Sequence, residues 1–133
     1  YASHGLLRLP RIIERIGNAV VDPLTKGRCR WRGLSFLEVD GAQGLGPIVA
    51  LHALDQVAER ARETGIAVAA ISNCDHLGML AWYADKIASQ GQILLALTIS
   101  EALVHPWGGR QALLGTNPIA IGVPASPRPF VFD

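Results

Sequence analysis

The stretch ISNCDHLGMLAWY, residues 71–83, decides how the chain is organised. The apolar run at 66–71 predicts a buried strand, and the apolar-periodic residues at 79–89 predict a helix. Between them lie the polar or reactive residues 72–76, followed by Gly78. Proteins of the α/β class present their chemistry in such turns, at the carboxyl end of a strand. The pattern therefore predicts an α/β fold. It leaves open whether the turn binds an anionic ligand at the helix start or supplies the cap of that helix.

The composition excludes several classes of protein. The chain has 133 residues, of which 50% are hydrophobic and 17% charged, as expected for a globular protein with a buried core. A formal net charge of +1 argues against a nucleic-acid surface, and no apolar run reaches the roughly 20 residues that span a bilayer. The isolated Cys29 and Cys74 fit a reducing compartment. We therefore expect a cytoplasmic protein with neither a nucleic-acid nor a membrane partner.

Both ends of the sequence fall inside structured patterns. Tyr1 is not an initiator methionine, and the polar cluster at 1–4 opens the chain. The residues 129–133 form an apolar strand followed by one acid. We expect residues 1–133 to be a single domain and the central portion of a longer protein.

The residues Ser3, His4 and Arg8 form the first candidate site. In a helical turn, positions 4 and 8 lie on one face, so the imidazole and the guanidinium can face one ligand. An imidazole exchanges protons near neutral pH, and a guanidinium grips a carboxylate through two hydrogen bonds. The pair suits a small acid that undergoes proton transfer, with Ser3 orienting the ring or capping the helix. The alternative is a surface turn with a solvated arginine.

The remaining periodicities predict helices and strands along the whole chain. Between the strand at 34–39 and the long helix at 47–64, the glycines follow the pattern G-x-x-G-x-G. This is not the G-x-G-x-x-G order of dinucleotide-binding turns, so we interpret it as a tight turn with close backbone packing. Further elements are predicted as a helix at 10–16 and strands at 93–99, 119–123 and 130–132.

Polar residues recur where apolar strands end. They follow the predicted strands at 72–76 and 98–100, and Asp133 follows the last one. In a parallel or mixed sheet such ends can converge on one crevice. Thr116 and Asn117, held between a glycine and a proline, either bind a ligand or form an Asx-type turn.

In this order, the motifs resemble those of the malate/L-lactate dehydrogenase family, whose members lack the Rossmann fold. The resemblance covers essentially all 133 residues, and the segment LGTNPIA at 114–120 is its most specific part. The other motifs that carry it are Ser3-His4-Gly5 with Arg8 and Pro10, Asp40-Gly41 with Gly44-Leu45-Gly46, Ser72-Asn73 with His76-Leu77-Gly78 and Tyr83, and Pro106-Trp107-Gly108-Gly109.

The resemblance implies a layered, mixed β-sheet flanked by helices. It also implies an oxidoreductase that uses NAD or NADP, forms a homodimer, and moves hydride between the nicotinamide and C2 of a small 2-hydroxy or 2-oxo acid. Substrates of the malate, lactate or sulfolactate type would fit this chemistry, which needs a proton carrier and a fixed carboxylate.

By the same resemblance, His4 and His76 would take part in proton transfer, with either of them as the donor, and Ser3 would polarise His4. Arg8 and Thr116 would bind the substrate. The residues that would contact the cofactor are His76, Leu77, Gly78, Met79, Leu80, Ser100 and Asp133.

One departure from the family and two alternatives stand beside this interpretation. Asp75 occupies a position where the family usually has Asn, and an acid beside His76 can raise its pKa or orient it. The first alternative is a non-catalytic or degenerate fragment of the same fold, acting as a structural or binding module. The second is a metal hydrolase using His4, His76 and Asp75, which lacks the usual ligand spacing, so we expect no metal.

Overall fold

The computed structural model describes residues 4–133, and the chain divides between Gly78 and Met79 into two compact units. The predicted α/β class, with sheets flanked by helices, is confirmed. That residues 1–133 form one domain of a longer protein stays a prediction. The first unit contains a 3₁₀ turn (Leu6–Arg8), α1 (Leu9–Gly17), β1 (Arg28–Arg32), β2 (Phe36–Gly44), α2 (Gly46–Thr64) and β3 (Val68–Cys74). The second contains α3 (Leu80–Ala88), β4 (Leu94–Leu97), β5 (Ile119–Val123) and β6 (Phe130–Phe132).

The first unit is a mixed sheet covered by α2. Its strand order is β1-β2-β3, with β1 antiparallel and β3 parallel to β2. Side chains alternate along β2, so Leu37 and Val39 are buried while Glu38 is exposed. Against them pack Val49 and Ala53 of α2, and these apolar contacts form the core of the unit.

The second unit is an antiparallel sheet that packs on α3. Its strand order is β4-β5-β6. α3 buries Tyr83, Ala84 and Ile87, and Ala120 of β5 is fully buried. A Cβ at Gly122 would lie 3.1 Å from the Cα of Ala84, so the helix lies directly on the strand.

Two expectations about the central stretch are wrong. β3 continues through Ser72 to Cys74, because β2 extends beside it and pairs with both residues, so these polar residues belong to the strand rather than to a turn. The residue at the N-cap of α3 is Met79, which makes no side-chain cap, so Ser72, Asn73 and Asp75 do not cap that helix.

β3 belongs to the mixed sheet of the first unit, whereas β4 belongs to the antiparallel sheet of the second, so their ends do not share one sheet. That polar strand ends converge on one crevice stays a prediction. Along residues 4–133, none of the helices combines the length and apolar character that crossing a membrane requires.

Candidate active site

The glycine turn at 41–46 lets the end of β2 and the start of α2 pack closely against the segment after β3. A Cβ at Gly41 would lie 2.8 Å from the carbonyl oxygen of Asn73. A Cβ at Gly46 would lie 2.6 Å from the carbonyl carbon of His76. The close backbone packing expected of these glycines is present, and it fixes where the chain passes as it leaves β3.

Asp40 of β2 organises the same region. Its Oδ1 accepts hydrogen bonds from the Ala42 backbone N–H at 3.0 Å and from Asn73 Nδ2 at 2.9 Å. These bonds, the one from Ala42 first, lower the pKa of Asp40 below its usual value. Ala42, Gln43 and Asn73 all have positive φ angles of 48° to 60°, which non-glycine residues rarely adopt. The sequence interpretation missed this cluster, although the Asp-Gly pair at 40–41 marks such a turn.

His4 and His76 lie side by side in the first unit. Their ring centroids are 5.6 Å apart, and the ring planes are inclined by 32°. The structure therefore brings together the two histidines predicted to take part in proton transfer. Ser3, the predicted partner of His4, lies outside the described residues, and its role stays a prediction.

A backbone hydrogen bond fixes the ring of His76. The N–H of Gly78 donates to Nδ1 of His76 at 2.8 Å. Because Nδ1 accepts this bond, the proton of the neutral ring lies on Nε2. His76 therefore presents an N–H donor on the side of the ring opposite Gly78.

The surroundings of His76 disfavour its charged form. The residue is exposed, but neighbouring protein atoms desolvate its ring enough to lower its pKa. The positive charge of Arg8 lowers this pKa further, with smaller effects from His4 and Arg11, whereas Asp75 opposes them. Desolvation and cationic neighbours together keep the ring of His76 neutral over a wider pH range than a free histidine.

Arg8 completes the group in the first unit. Arg8 is the last residue of the 3₁₀ turn (Leu6–Arg8), and it is half-buried. Its positive charge acts on the pKa of His76. Of the predicted residues in this unit, the structure thus brings together the rings of His4 and His76, and Arg8 acts on His76 through its charge.

The hydroxyl groups of Ser100 and Thr116 form a second group, in the second unit. Their oxygens are 3.1 Å apart, and the Thr116 N–H donates to Ser100 Oγ at 2.9 Å. Asn117, at φ 42°, accepts from the Ser100 N–H at 3.0 Å. The predicted cofactor residue Ser100 and the predicted substrate residue Thr116 therefore lie together, with Asn117 anchoring them.

The start of α3 is bound by a carboxylate of the chain itself. Oδ2 of Asp133 accepts from the Ala81 N–H at 2.8 Å, which satisfies one of the helix's unpaired donors. Met79 and Leu80 flank this helix start, and the side chain of Leu80 is buried. Leu80 can therefore offer only its backbone to a ligand.

Comparison with known proteins identifies the family. The sequence matches the family model for malate/L-lactate dehydrogenase over residues 1–133. The chain belongs to this family. The resemblance inferred from the motifs is thereby confirmed.

Curated relatives include three kinds of oxidoreductase. The chain is 37% identical over 131 residues to a malate dehydrogenase of Pyrococcus abyssi, covering 98% of this chain and 36% of the relative. It is 29% identical over 133 residues to an L-sulfolactate dehydrogenase of Methanocaldococcus jannaschii, covering 100% and 39%. It is 34% identical over 132 residues to a Delta(1)-pyrroline-2-carboxylate/Delta(1)-piperideine-2-carboxylate reductase of Pseudomonas syringae pv. tomato, covering 98% and 38%. The chain thus spans less than half the length of each.

A solved structure of this kind shares the fold. The chain matches a dehydrogenase from Sinorhizobium meliloti with a TM-score of 0.94 and 52% identity, covering 98% of this chain and 39% of that one. The predicted non-Rossmann fold of the malate/L-lactate dehydrogenase type is confirmed.

The metal-hydrolase alternative has no ligand set among residues 4–133. Among these described residues, no three side chains of His, Cys, Asp or Glu lie together in a way that could hold a metal ion. Asp75 instead forms an ion pair with Arg15, with Nη2 and Oδ1 3.0 Å apart. Sequence interpretation gave Arg15 no role, because neither its spacing nor its neighbours mark a partner 60 residues away.

Proposed function

We propose that residues 1–133 are the central portion of an NAD(P)-dependent oxidoreductase that acts on small 2-hydroxy or 2-oxo acids. The observation that carries this proposal is the pairing of the His4 and His76 rings in the first unit, with the charge of Arg8 acting on His76. The names of the relatives support the substrate class. Malate, sulfolactate and the cyclic imino acids all carry a carboxylate beside the carbon that changes oxidation state.

Arg8 binds that shared carboxylate. A guanidinium forms two parallel hydrogen bonds to a carboxylate, which fixes both the distance and the orientation of the bound acid. Orientation matters because a misplaced reacting carbon lowers the rate steeply. Arg8 therefore serves binding and alignment together, and its loss raises KM more than it lowers kcat.

The two histidines take different roles. Since Nδ1 of His76 accepts from Gly78, the neutral ring offers its Nε2–H as a hydrogen-bond donor to the substrate oxygen. The lowered pKa of His76 keeps it in this neutral form. His4 carries the proton, delivering it to the oxygen during reduction and accepting it during oxidation.

The residues present fit a nicotinamide cofactor. A Cβ at Gly78 would meet only the Cγ of Pro47, at 4.0 Å, so the backbone there is accessible to a flat ring. The cofactor, when bound, supplies or accepts the hydride. By the resemblance of the motifs to the family, the groups proposed to hold it are the backbone of residues 77–80, His76 and the hydroxyl of Ser100. Thr116 would contact the substrate, and Asp133 would reach the cofactor beside its bond to Ala81.

A cofactor-oxidation assay on the full-length protein tests the proposal. We would follow the absorbance of NADH and NADPH with a panel of 2-oxo acids and cyclic imines. We expect oxidation of at least one cofactor, an about 10²- to 10⁴-fold lower kcat for His4→Ala, and a raised KM for Arg8→Ala. His52→Ala and Arg62→Ala, in α2, are matched controls with activity unchanged. Gel filtration of the same protein tests the proposed homodimer.

The variants also separate the histidine roles. His76→Gln keeps an N–H donor, so it should retain more activity than His76→Ala. If His76→Gln is as inactive as His76→Ala while His4→Ala remains active, His76 rather than His4 carries the proton. If folded protein oxidises neither cofactor with any member of the panel, the dehydrogenase proposal fails and a non-catalytic member of the family takes its place.

A further inference from the structure

An ion pair joins α1 to the loop that carries His76. Arg15 Nη2 lies 3.0 Å from Oδ1 of Asp75, and Arg15 Nε lies 3.3 Å from Oδ2. Both carboxylate oxygens are therefore engaged by one guanidinium, which is the geometry of a directional pair. The side chain of Asp75 is only 16% exposed and that of Arg15 33%, so solvent screens the pair less than it screens a surface pair.

α1 contributes partly buried side chains to the first unit. Among residues 4–133, none of its nine residues is fully buried, but Ile12, Arg15 and Ile16 are half-buried. The packing of the two isoleucines is not directional, so a directional contact adds to what fixes the position of the helix. The Arg15–Asp75 pair is such a contact.

The pair links the two segments that carry the proposed site. His4 and Arg8 precede α1 without interruption, and His76 directly follows Asp75. A displacement of α1 therefore moves His4 and Arg8 relative to His76.

We infer that Arg15 and Asp75 are positioning residues of the proposed active site, where their ion pair fixes His4 and Arg8 relative to His76 and neutralises the carboxylate beside His76. This inference rests on the proposed function for its catalytic consequence. The effect of the ion pair on the position and the pKa of His76 can be measured without catalytic turnover.

The charges that face His76 predict the sign of each substitution. Arg8 comes from the 3₁₀ turn, Arg11 from α1, His4 from the segment before them, and Asp75 from the loop itself. Only Asp75 raises the pKa of His76. Removing Arg15 leaves this carboxylate unbalanced, so the pKa of His76 should rise. Removing the charge of Asp75 should lower it.

Opposite shifts of the His76 pKa report that the charges of the pair act at His76, and the loss of kcat/KM in Arg15→Lys, which keeps the charge, reports the positioning role. Here Arg15→Gln and Asp75→Asn should move the pKa of His76 in opposite directions. The double variant should resemble Asp75→Asn, because Arg15 acts on His76 through Asp75.

The experiment uses the full-length protein labelled with ¹³C at histidine Cε1. The His76 signal is assigned by its loss in His76→Gln, and its chemical shift is followed by NMR from acidic to neutral pH. Arg15→Lys keeps the positive charge but loses the planar guanidinium that binds both carboxylate oxygens. The pKa of His76 should therefore stay near its wild-type value, while kcat/KM falls less than in Arg15→Gln. Glu14→Gln, an exposed charge removal on the same helix, is the matched control and should change neither.

The activity readout is taken on the same samples. Arg15→Gln and Asp75→Asn should each lower kcat/KM about tenfold to a hundredfold, because either substitution frees the site groups to shift. Shifts of the His76 pKa in the same direction, or no shift in either variant, would overturn the inference. Opposite shifts in a protein that oxidises neither cofactor would support the pairing and reject only the proposed function. If Arg15→Gln does not fold, Asp75→Asn and Arg15→Lys still decide the outcome.

Discussion

The substitution Gly46→Ala probes the contact that fixes the loop carrying His76. The added Cβ would lie 2.6 Å from the carbonyl carbon of His76 and closer still to the carbonyl oxygens of Asp75 and His76, whereas ordinary contacts begin at 3.4 Å, so the loop must retreat by at least about 0.8 Å. Crowding of this kind in a packed region lowers the free energy of unfolding by about 1–3 kcal/mol. A displacement near 1 Å of a group in the site lowers the rate by up to about a hundredfold. Urea unfolding and kcat/KM of the full-length protein measure the two effects.

Gly17→Ala is the matched control for this change. A Cβ at Gly17, the last residue of α1, meets nothing within 4 Å, and its φ is not in the positive range. The free energy of unfolding should not fall and should rise by at most about 1 kcal/mol, because alanine favours the helix over glycine, and the activity should not change. If Gly46→Ala behaves like Gly17→Ala, the close packing at Gly46 does not position the loop and our account of the glycine turn is refuted.

Three further predictions concern stability. Leu37→Ala should lower the free energy of unfolding by about 2–5 kcal/mol in urea titrations, because Leu37 is fully buried. Leu34→Ala, at a site that is 76% exposed, is the control and should change this free energy little. Equal effects of the two substitutions would contradict the assigned core. Asp133→Ala removes the acceptor for the Ala81 N–H and should cost about 1 kcal/mol in the same titration, whereas Asp133→Asn, which keeps an acceptor oxygen, should cost less. Because the folded protein lowers the pKa of His76, the unfolded chain takes up the proton first as the pH falls through about 6.5, so stability should fall with falling pH there. That pH dependence should be weaker in His76→Gln, and an unchanged slope would argue against a neutral His76.

Much of the fold could be predicted because periodicity reports burial. The predicted strands at 119–123 and 130–132 agree with β5 and β6, and α2 ends where Gly65 adopts φ 82°. The predicted end of β3, at residue 71, was wrong because a parallel strand can continue through polar residues when its neighbour extends beside it. Ser72 and Cys74 pair with residues of β2, a fact that no local pattern contains.

The candidate site could be predicted in its residue types but not in its connections. Motifs indicated His4, Arg8 and His76, and the structure places the rings of the two histidines side by side, with the charge of Arg8 acting on His76. The contact between Arg15 and Asp75 joins residues 60 positions apart, and only the folded backbone brings them together. The Nδ1 bond from Gly78 likewise depends on a backbone conformation with φ 82° that the residue name permits but does not dictate.

The bond between Asp133 and the N–H of Ala81 bears on the order of events during synthesis. The two residues are 52 positions apart, so at about 5–20 residues per second the ribosome adds Asp133 roughly 3–10 s after Ala81. Until then α3 begins without this acceptor, and β5 lacks the β6 partner that immediately precedes Asp133. A nascent chain halted before Asp133 would therefore lack both the acceptor at the start of α3 and the strand that pairs with β5.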